Sequence, residues 1–259
     1  MNRCLIESHR GVASDAPDNT LSAYRLAAQL GYDMIELDMR FTKDNRCVAM
    51  HDRTINRFAR NADGSELAEQ IPIGEITLEE ARRYDYGIWF SEKYKGEPIA
   101  TLEEILEFAK GCGIPLKFDN VLQTYTEAQL EIFLDTIAKL DASSVATYTV
   151  TKPEIARKIL ARFADATIHY DGALDDDSLA AISAVVPREQ LIVWQRFPNG
   201  YADDWCKVPP ADDESCKRIG KFARLGMWLL KKPEELREAY ERYGAYIIET
   251  DGSIKPDML

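Results

Sequence analysis

Short apolar runs alternate with stretches of helical period along most of the chain. Cys4–Ser8 is the first strand-like run. Over Thr20–Leu30, the residues Ala23, Leu26, Ala27 and Leu30 fall on one helical face, with Asn19 as the expected cap and Gly31 as the stop. Met34–Arg40 reads as a second strand and Cys47–His51 as a further extended piece. Residues 54–98 keep neither period and read as a polar insertion, broken by a short helix at Leu78–Tyr84. Thr101-Leu102-Glu103-Glu104 is a capping box and predicts a helix to Lys110. Beyond it, strands are expected at Pro115–Asp119, Ser144–Thr149, Ala166–Tyr170, Leu191–Trp194, Gly226–Leu230 and Ala245–Thr250. Helices are expected near Glu127–Leu140, Pro153–Phe163, Ser178–Val185, Asp213–Leu225 and Pro233–Tyr243. Repeated βα units imply a parallel sheet, and eight strands imply closure into a (β/α)₈ TIM barrel of the α/β class. Gly252–Leu259 is too short for a full eighth helix. No linker-like segment divides residues 1–259, so a single domain is expected.

Composition narrows the partners. The chain has 259 residues, 46% hydrophobic and 29% charged, enough to bury a large core. No apolar run approaches the ~18 residues of a membrane span, and the first residues are too polar for a signal peptide. A cytoplasmic location is the expectation, with an exported form left open. The net charge of −12 argues against nucleic acid as a partner. It also means that an anionic small molecule would need local positive charge or a metal. Cys4, Cys47, Cys112, Cys206 and Cys216 are odd in number and show no CxxC spacing, which suggests reduced thiols. The oligomeric state is not readable.

Active sites of such barrels sit at the C-terminal ends of the strands and in the loops that follow them. Of the three histidines, His9 ends the first strand, His51 ends the extended piece after the second, and His169 lies near the end of a later one. Strand alternation puts Ile35, Leu37 and Met39 on an outer face and Glu36 and Asp38 on an inner one. Two carboxylates so placed repel each other, and they settle by sharing a proton, pairing with a base or binding a cation. Asp119 and Lys117 share the inner face of the next strand. Glu36, Asp38 and Asp119 together form a hard oxygen set, suited to one Mg²⁺ or Ca²⁺ rather than zinc.

Ser8-His9-Arg10-Gly11, Ala16-Pro17-Asp18-Asn19-Thr20, Ile35-Glu36-Leu37-Asp38 and His51-Asp52 occur in this order. With Thr42-Lys43-Asp44, Gly87-Ile88-Trp89-Phe90-Ser91, the Thr101 capping box and Thr250-Asp251, they resemble the glycerophosphodiester phosphodiesterases, densely over residues 4–110 and thinly beyond. The resemblance implies a metal-dependent hydrolase of a small glycerophosphodiester, with a place in lipid metabolism. It implies His9 and His51 as the acid–base pair, and Glu36 and Asp38 as ligands of a divalent cation. It also implies that the nucleophile can be a neighbouring hydroxyl of the substrate, giving a cyclic phosphate. Arg10 is placed to contact the phosphate.

The chain departs from the family in three places. Asp119 stands where a glutamate is usual, Val121 where a lysine is usual, and Glu7 where a small or apolar residue is usual. Lys117 is then a candidate phosphate contact or a neutraliser of the carboxylates. Glu7 and Glu249 are candidates to orient a histidine or to pair with Lys117. The insertion 54–98 and the loop Phe197–Pro210 are expected to overhang the barrel mouth. Two other readings use the same barrel. One is a lipid phosphodiesterase, phospholipase D-like or inositol-phospholipid-cleaving, for which Tyr201 and Trp205 would form an aromatic rim. The other is a phosphodiester-binding protein without turnover.

Overall fold

A computed structural model describes residues 3–258, the side chains of residues 120 and 121 excepted. The expectation about Val121 therefore lies outside the described side chains. Eight strands form the barrel: β1 (Leu5–Ser8), β2 (Met34–Leu37), β5 (Leu116–Phe118), β6 (Ala146–Val150), β7 (Ile168–Tyr170), β8 (Leu191–Arg196), β9 (Arg224–Leu230) and β10 (Ile247–Thr250). All neighbours are parallel, and β10 closes on β1 with Leu5 opposite Ile247 and Glu7 opposite Glu249. Alternation does the sorting. Ile6, Ile35, Leu37, Leu116 and Ile248 pack outward against the helices in the main core. Leu5, Met34, Ile192 and Ile247 form a separate apolar floor inside the barrel. Each outward Leu or Ile so buried is worth about 1.5–3 kcal/mol.

The second strand differs from its expected span. It leaves the barrel after Leu37, and the chain continues as β3 (Met39–Phe41), paired antiparallel with β4 (Cys47–Ala49). The Asp119 N–H donates to the Leu37 carbonyl, whereas the Asp38 carbonyl accepts from Met50 instead, so pairing switches at Asp38.

Seven helices cover the barrel: α1 (Leu21–Leu30), α3 (Leu102–Cys112), α4 (Glu127–Lys139), α5 (Pro153–Arg162), α6 (Asp176–Ser183), α7 (Asp213–Phe222) and α8 (Pro233–Glu241). Among the described residues only a short 3₁₀ turn, Pro256–Met258, follows β10. The cap of α1 is Thr20, whose side chain accepts from the Ala23 N–H, and not Asn19 as its sequence position suggested. Among the described residues, no helix is long and apolar enough to cross a membrane.

The insertion is less polar inside than its sequence suggested. Around the short α2 (Leu78–Ala81), the residues Ile55, Phe58, Ile73, Tyr86 and Ile99 form a small core with Val48 and Met50 of the hairpin arm.

Candidate active site

Two residues above the apolar floor, four strands each present a glutamate or an indole inward: Glu7 above Leu5, Glu36 above Met34, Glu249 above Ile247, and Trp194 above Ile192. One step higher come His9, Asp38 and Asp119, at the strand ends. The same alternation that buries the outer faces thus forces a polar layer into the barrel mouth.

The turn after β1 is tightly specified. The His9 N–H donates to the Thr250 carbonyl at 2.8 Å. Arg10 then takes a left-handed φ of 56°, which turns its own N–H to Glu36 Oε2 at 2.8 Å. Gly11 follows at φ 81°, where an added Cβ would lie 2.6 Å from Ala23 Cβ of α1. Only glycine fits both that conformation and that approach.

Asn19 and Asp38 grip each other. Asn19 Nδ2 donates to Asp38 Oδ2 at 2.9 Å, and the Asp38 N–H donates to Asn19 Oδ1 at 3.0 Å. Tyr24 Oη supports the same Oδ1 at 3.1 Å. The Arg10 guanidinium lies 3.1 Å from Asp38 and 3.5 Å from Asp18. Burial alone would lower the pKa of Arg10, but Asp38, Glu36 and Asp18 raise it on balance.

Oxygens of Glu36, Asp38 and Asp119 lie within 4.8 Å of one another. Burial, then Asp38 and Asp119, push the Glu36 carboxyl well above its ordinary value. Burial likewise raises Asp119 to about 7; Lys117 opposes this, while Asp38 and Asp171 add to it. Crowded carboxylates held this way favour a cation among them. The donors are all oxygen, so the set fits a hard divalent cation.

His9 Nε2 lies 4.0 Å from Glu36 Oε2. Burial lowers its pKa to about 4, with Glu249 opposing and Arg10 assisting. His51 is held differently. Arg40 Nε donates to its carbonyl at 2.6 Å, and its Nδ1 lies 2.6 Å from Asp52 Oδ1. A carboxylate only accepts, so Nδ1 carries the proton and Nε2 is left to exchange one. Arg57 in turn pairs with Asp52 at 3.0 Å.

Lys117 is buried, with Nζ 2.8 Å from Glu7, 2.9 Å from Glu249 and 3.8 Å from the centre of the Trp194 ring. The phosphate contact expected of Lys117 competes with this pairing. His169 lies deeper in the barrel, bonded to Thr147 and Trp194.

A cavity of about 400 Å³ opens above these groups. His9, Arg10, Glu36 and Asp119 line one side. Trp194, Trp228, Tyr201 and Trp205 line the other, the last two from the Phe197–Pro210 loop. The insertion contributes no residue to this lining, and it meets the site through Arg57, which pairs with Asp52 beside His51. Its core packs against the β3–β4 hairpin, while the charge of Arg57 acts on Asp18 as well as on Asp52. A second cavity, about 510 Å³, lies at α8 beside Arg3, Tyr240 and Met258 and holds none of the site residues. The sequence pointed to Asn19 only as a helix cap and gave Trp194 no role. The inward parity of Trp194 was a usable signal; the partner of Asn19 was not.

Residues 9–149 match the model of the glycerophosphoryl diester phosphodiesterase family. A glycerophosphodiester phosphodiesterase of Caldanaerobacter subterraneus subsp. tengcongensis is 41% identical over 105 residues, which is 40% of this chain and 40% of that protein. One from Bacillus subtilis is 33% identical over 114 residues, covering 41% and 36%. The matched segments thus span about two fifths of these curated relatives. The fold resembles that of an Oleispira antarctica phosphodiesterase solved with the product sn-glycerol-3-phosphate, with a TM-score of 0.73 and 18% identity over 96% of this chain and 93% of that one. A glycerophosphodiester phosphodiesterase from Thermotoga maritima gives a TM-score of 0.64 and 18% identity, over 98% and 96%. With more than half of its length matched by the family model, the chain belongs to the glycerophosphoryl diester phosphodiesterase family.

Proposed function

We propose that the protein hydrolyses glycerophosphodiesters to a glycerol phosphate and an alcohol. The observation that carries this reading is the convergence of Glu36, Asp38 and Asp119 beside His9 and Arg10 in the barrel mouth. Family membership and the product bound by the Oleispira antarctica relative support it.

A Mg²⁺ or Ca²⁺ ion held by the three carboxylates would neutralise charge on the nonbridging oxygens of the diester. Arg10 has more N–H donors than its two carboxylate partners use, and the remainder bind the phosphate. One imidazole takes the proton of the attacking hydroxyl as its oxygen bonds phosphorus. The bond from phosphorus to the departing alcohol oxygen breaks, and the other imidazole protonates that oxygen. If the attacking hydroxyl belongs to the substrate, the first product is a cyclic phosphate, which water opens by the same two transfers. His9 and His51 carry these roles, with Asp52 orienting His51. Lys117 acts through its charge, since two carboxylates and an indole face already take its ammonium.

The test is purified protein with glycerophosphocholine, with added Mg²⁺ or Ca²⁺ and after chelation. Metal-restored turnover is expected. No cleavage across a broad diester panel with metal supplied overturns the reading in favour of a binding protein without turnover.

A second reading is favoured by one observation. Tyr201 and Trp205 are 49% and 63% exposed, yet both line the cavity, as an aromatic rim for a lipid diester would. Faster cleavage of a lysophospholipid than of glycerophosphocholine would select it.

A further inference from the structure

His169, Trp194 and Lys117 have no part in the proton transfers proposed above, yet they form one chain of contacts. The Thr147 hydroxyl donates to the Leu116 carbonyl at 2.8 Å, so its oxygen is left to accept. Trp194 Nε1 can only donate, and it does so to His169 Nδ1 at 3.0 Å. His169 is therefore neutral, with its proton on Nε2 and directed at Thr147 Oγ1, 3.0 Å away. Burial agrees, keeping this imidazole well below its ordinary pKa. The indole it locks lies at 26° to its own ring plane and puts its face against the Lys117 ammonium. Neighbouring β9 is cut back to admit that indole: a Cβ at Gly226 would lie 2.7 Å from the Trp194 ring.

Lys117 has an alternative partner. Asp119 lies two residues on, just past the end of β5, and is one of the three converging carboxylates. An ammonium paired with Asp119 would compete with a cation for that oxygen.

We propose that Trp194 and His169 are positioning residues that hold Lys117 toward Glu7 and Glu249 and off Asp119, leaving Asp119 for the divalent cation. The inference rests on the carboxylate set being the cation site. The indole face contributes cation–π attraction at a desolvated position, and the neutral imidazole fixes the plane of that face. Glu7 and Glu249 supply the opposing charge. The arrangement also gives a function to the departure at Glu7 and to Lys117, which the proton transfers leave unused.

The experiment is calorimetric titration of the purified protein with Ca²⁺ alone, with folding followed by circular dichroism. W194L should weaken Ca²⁺ binding by about tenfold, the lower range for groups that support a metal ligand. W194F, which keeps a ring face, should stay within about threefold of wild type. H169L should behave like W194L, while H169Q, able to accept from the indole and donate to Thr147, should stay near wild type. The double variant W194L/K117M should regain the lost affinity, because the competing ammonium is gone. Wild-type affinity in W194L, or no recovery in the double variant, overturns the inference. If the wild-type protein binds no divalent cation, the carboxylate site itself fails and takes this inference with it.

Discussion

Asn19 meets Asp38 twice, through its amide nitrogen and through its amide oxygen, while Tyr24 steadies the same oxygen. The carboxylate is therefore aimed before any ligand arrives. Glu36→Ala and Asp38→Ala should each abolish measurable cation binding and chelator-sensitive activity. Asn19→Ala leaves all three carboxylates in place and should weaken Ca²⁺ affinity by roughly 10–100-fold. Titration calorimetry reads both effects, and an Asn19→Ala protein that binds Ca²⁺ like wild type would show that the grip is incidental. The histidines separate by position. His9→Ala and His51→Ala should each lower kcat by at least ~10², with cation binding largely kept. His169→Ala should act mainly on cation affinity, since its bonds run to Thr147 and Trp194. A bell-shaped pH–rate profile is expected, because one imidazole must be neutral while the other is protonated. Near-native turnover in both the His9 and the His51 variants would end the two-histidine mechanism. At this scale Glu36, Asp38 and Asp119 were legible because a strand has a period of two. The Asn19–Asp38 grip was not, since a polar pairing between separate segments leaves no local pattern.

Asp85 organises the insertion as a point of convergence for backbone donors. Its Oδ1 accepts from Gly87 at 2.8 Å and Ile88 at 3.0 Å, and its Oδ2 from Gly96 at 2.6 Å. Burial works against the ionised form, but these three N–H groups outweigh it and lower the pKa below its ordinary value of 3.8. A depressed carboxylate contributes stability that is complete above the unfolded value and is lost as pH falls through the folded one. Asp85→Ala should therefore cost about 2–4 kcal/mol at pH 7, as charged hydrogen bonds left unmade do. The gap to wild type should narrow below pH ~4. Thermal melts at pH 7 and pH 3.5 check this, and a constant gap would refute it. The Phe197–Pro210 loop carries the aromatic side of the cavity, so its replacement should change preference among diesters more than turnover of a small generic one. Equal loss on every substrate would count against it. The eight strands and seven barrel helices followed from period and caps. The turn of the chain at Asp38 did not, because Met34–Arg40 is uniformly strand-like and only its choice of partner changes. The insertion core was hidden for another reason. Its core residues come from scattered positions with no regular period, and they gather around hairpin residues contributed from outside the segment.

Barrel and insertion are joined by contacts of several kinds, and from them we propose that the described chain unfolds as one unit. Ser22 of α1 donates to Glu97 through its N–H at 3.0 Å and its hydroxyl at 2.6 Å. Tyr94 Oη reaches the Asp15 carbonyl at 2.8 Å. On the hairpin side, Lys43 bonds backbone to backbone with Ile76. The apolar link matters most: Val48 and Met50 belong to the arm that carries His51, yet they complete the core of the insertion. Melting the insertion alone would expose them and free the backbone beside Asp38. Calorimetry at neutral pH should show a single transition, with calorimetric and van't Hoff enthalpies equal. Asp85→Ala, whose damage is confined to the insertion, should move that whole transition down by roughly 5 °C or more, without splitting it. Ca²⁺ should raise the single transition, because a ligand held by the folded carboxylates stabilises everything that melts with them. Two resolved transitions, with only the upper one responding to Ca²⁺, would show instead that the insertion folds independently and that His51 depends on the hairpin alone.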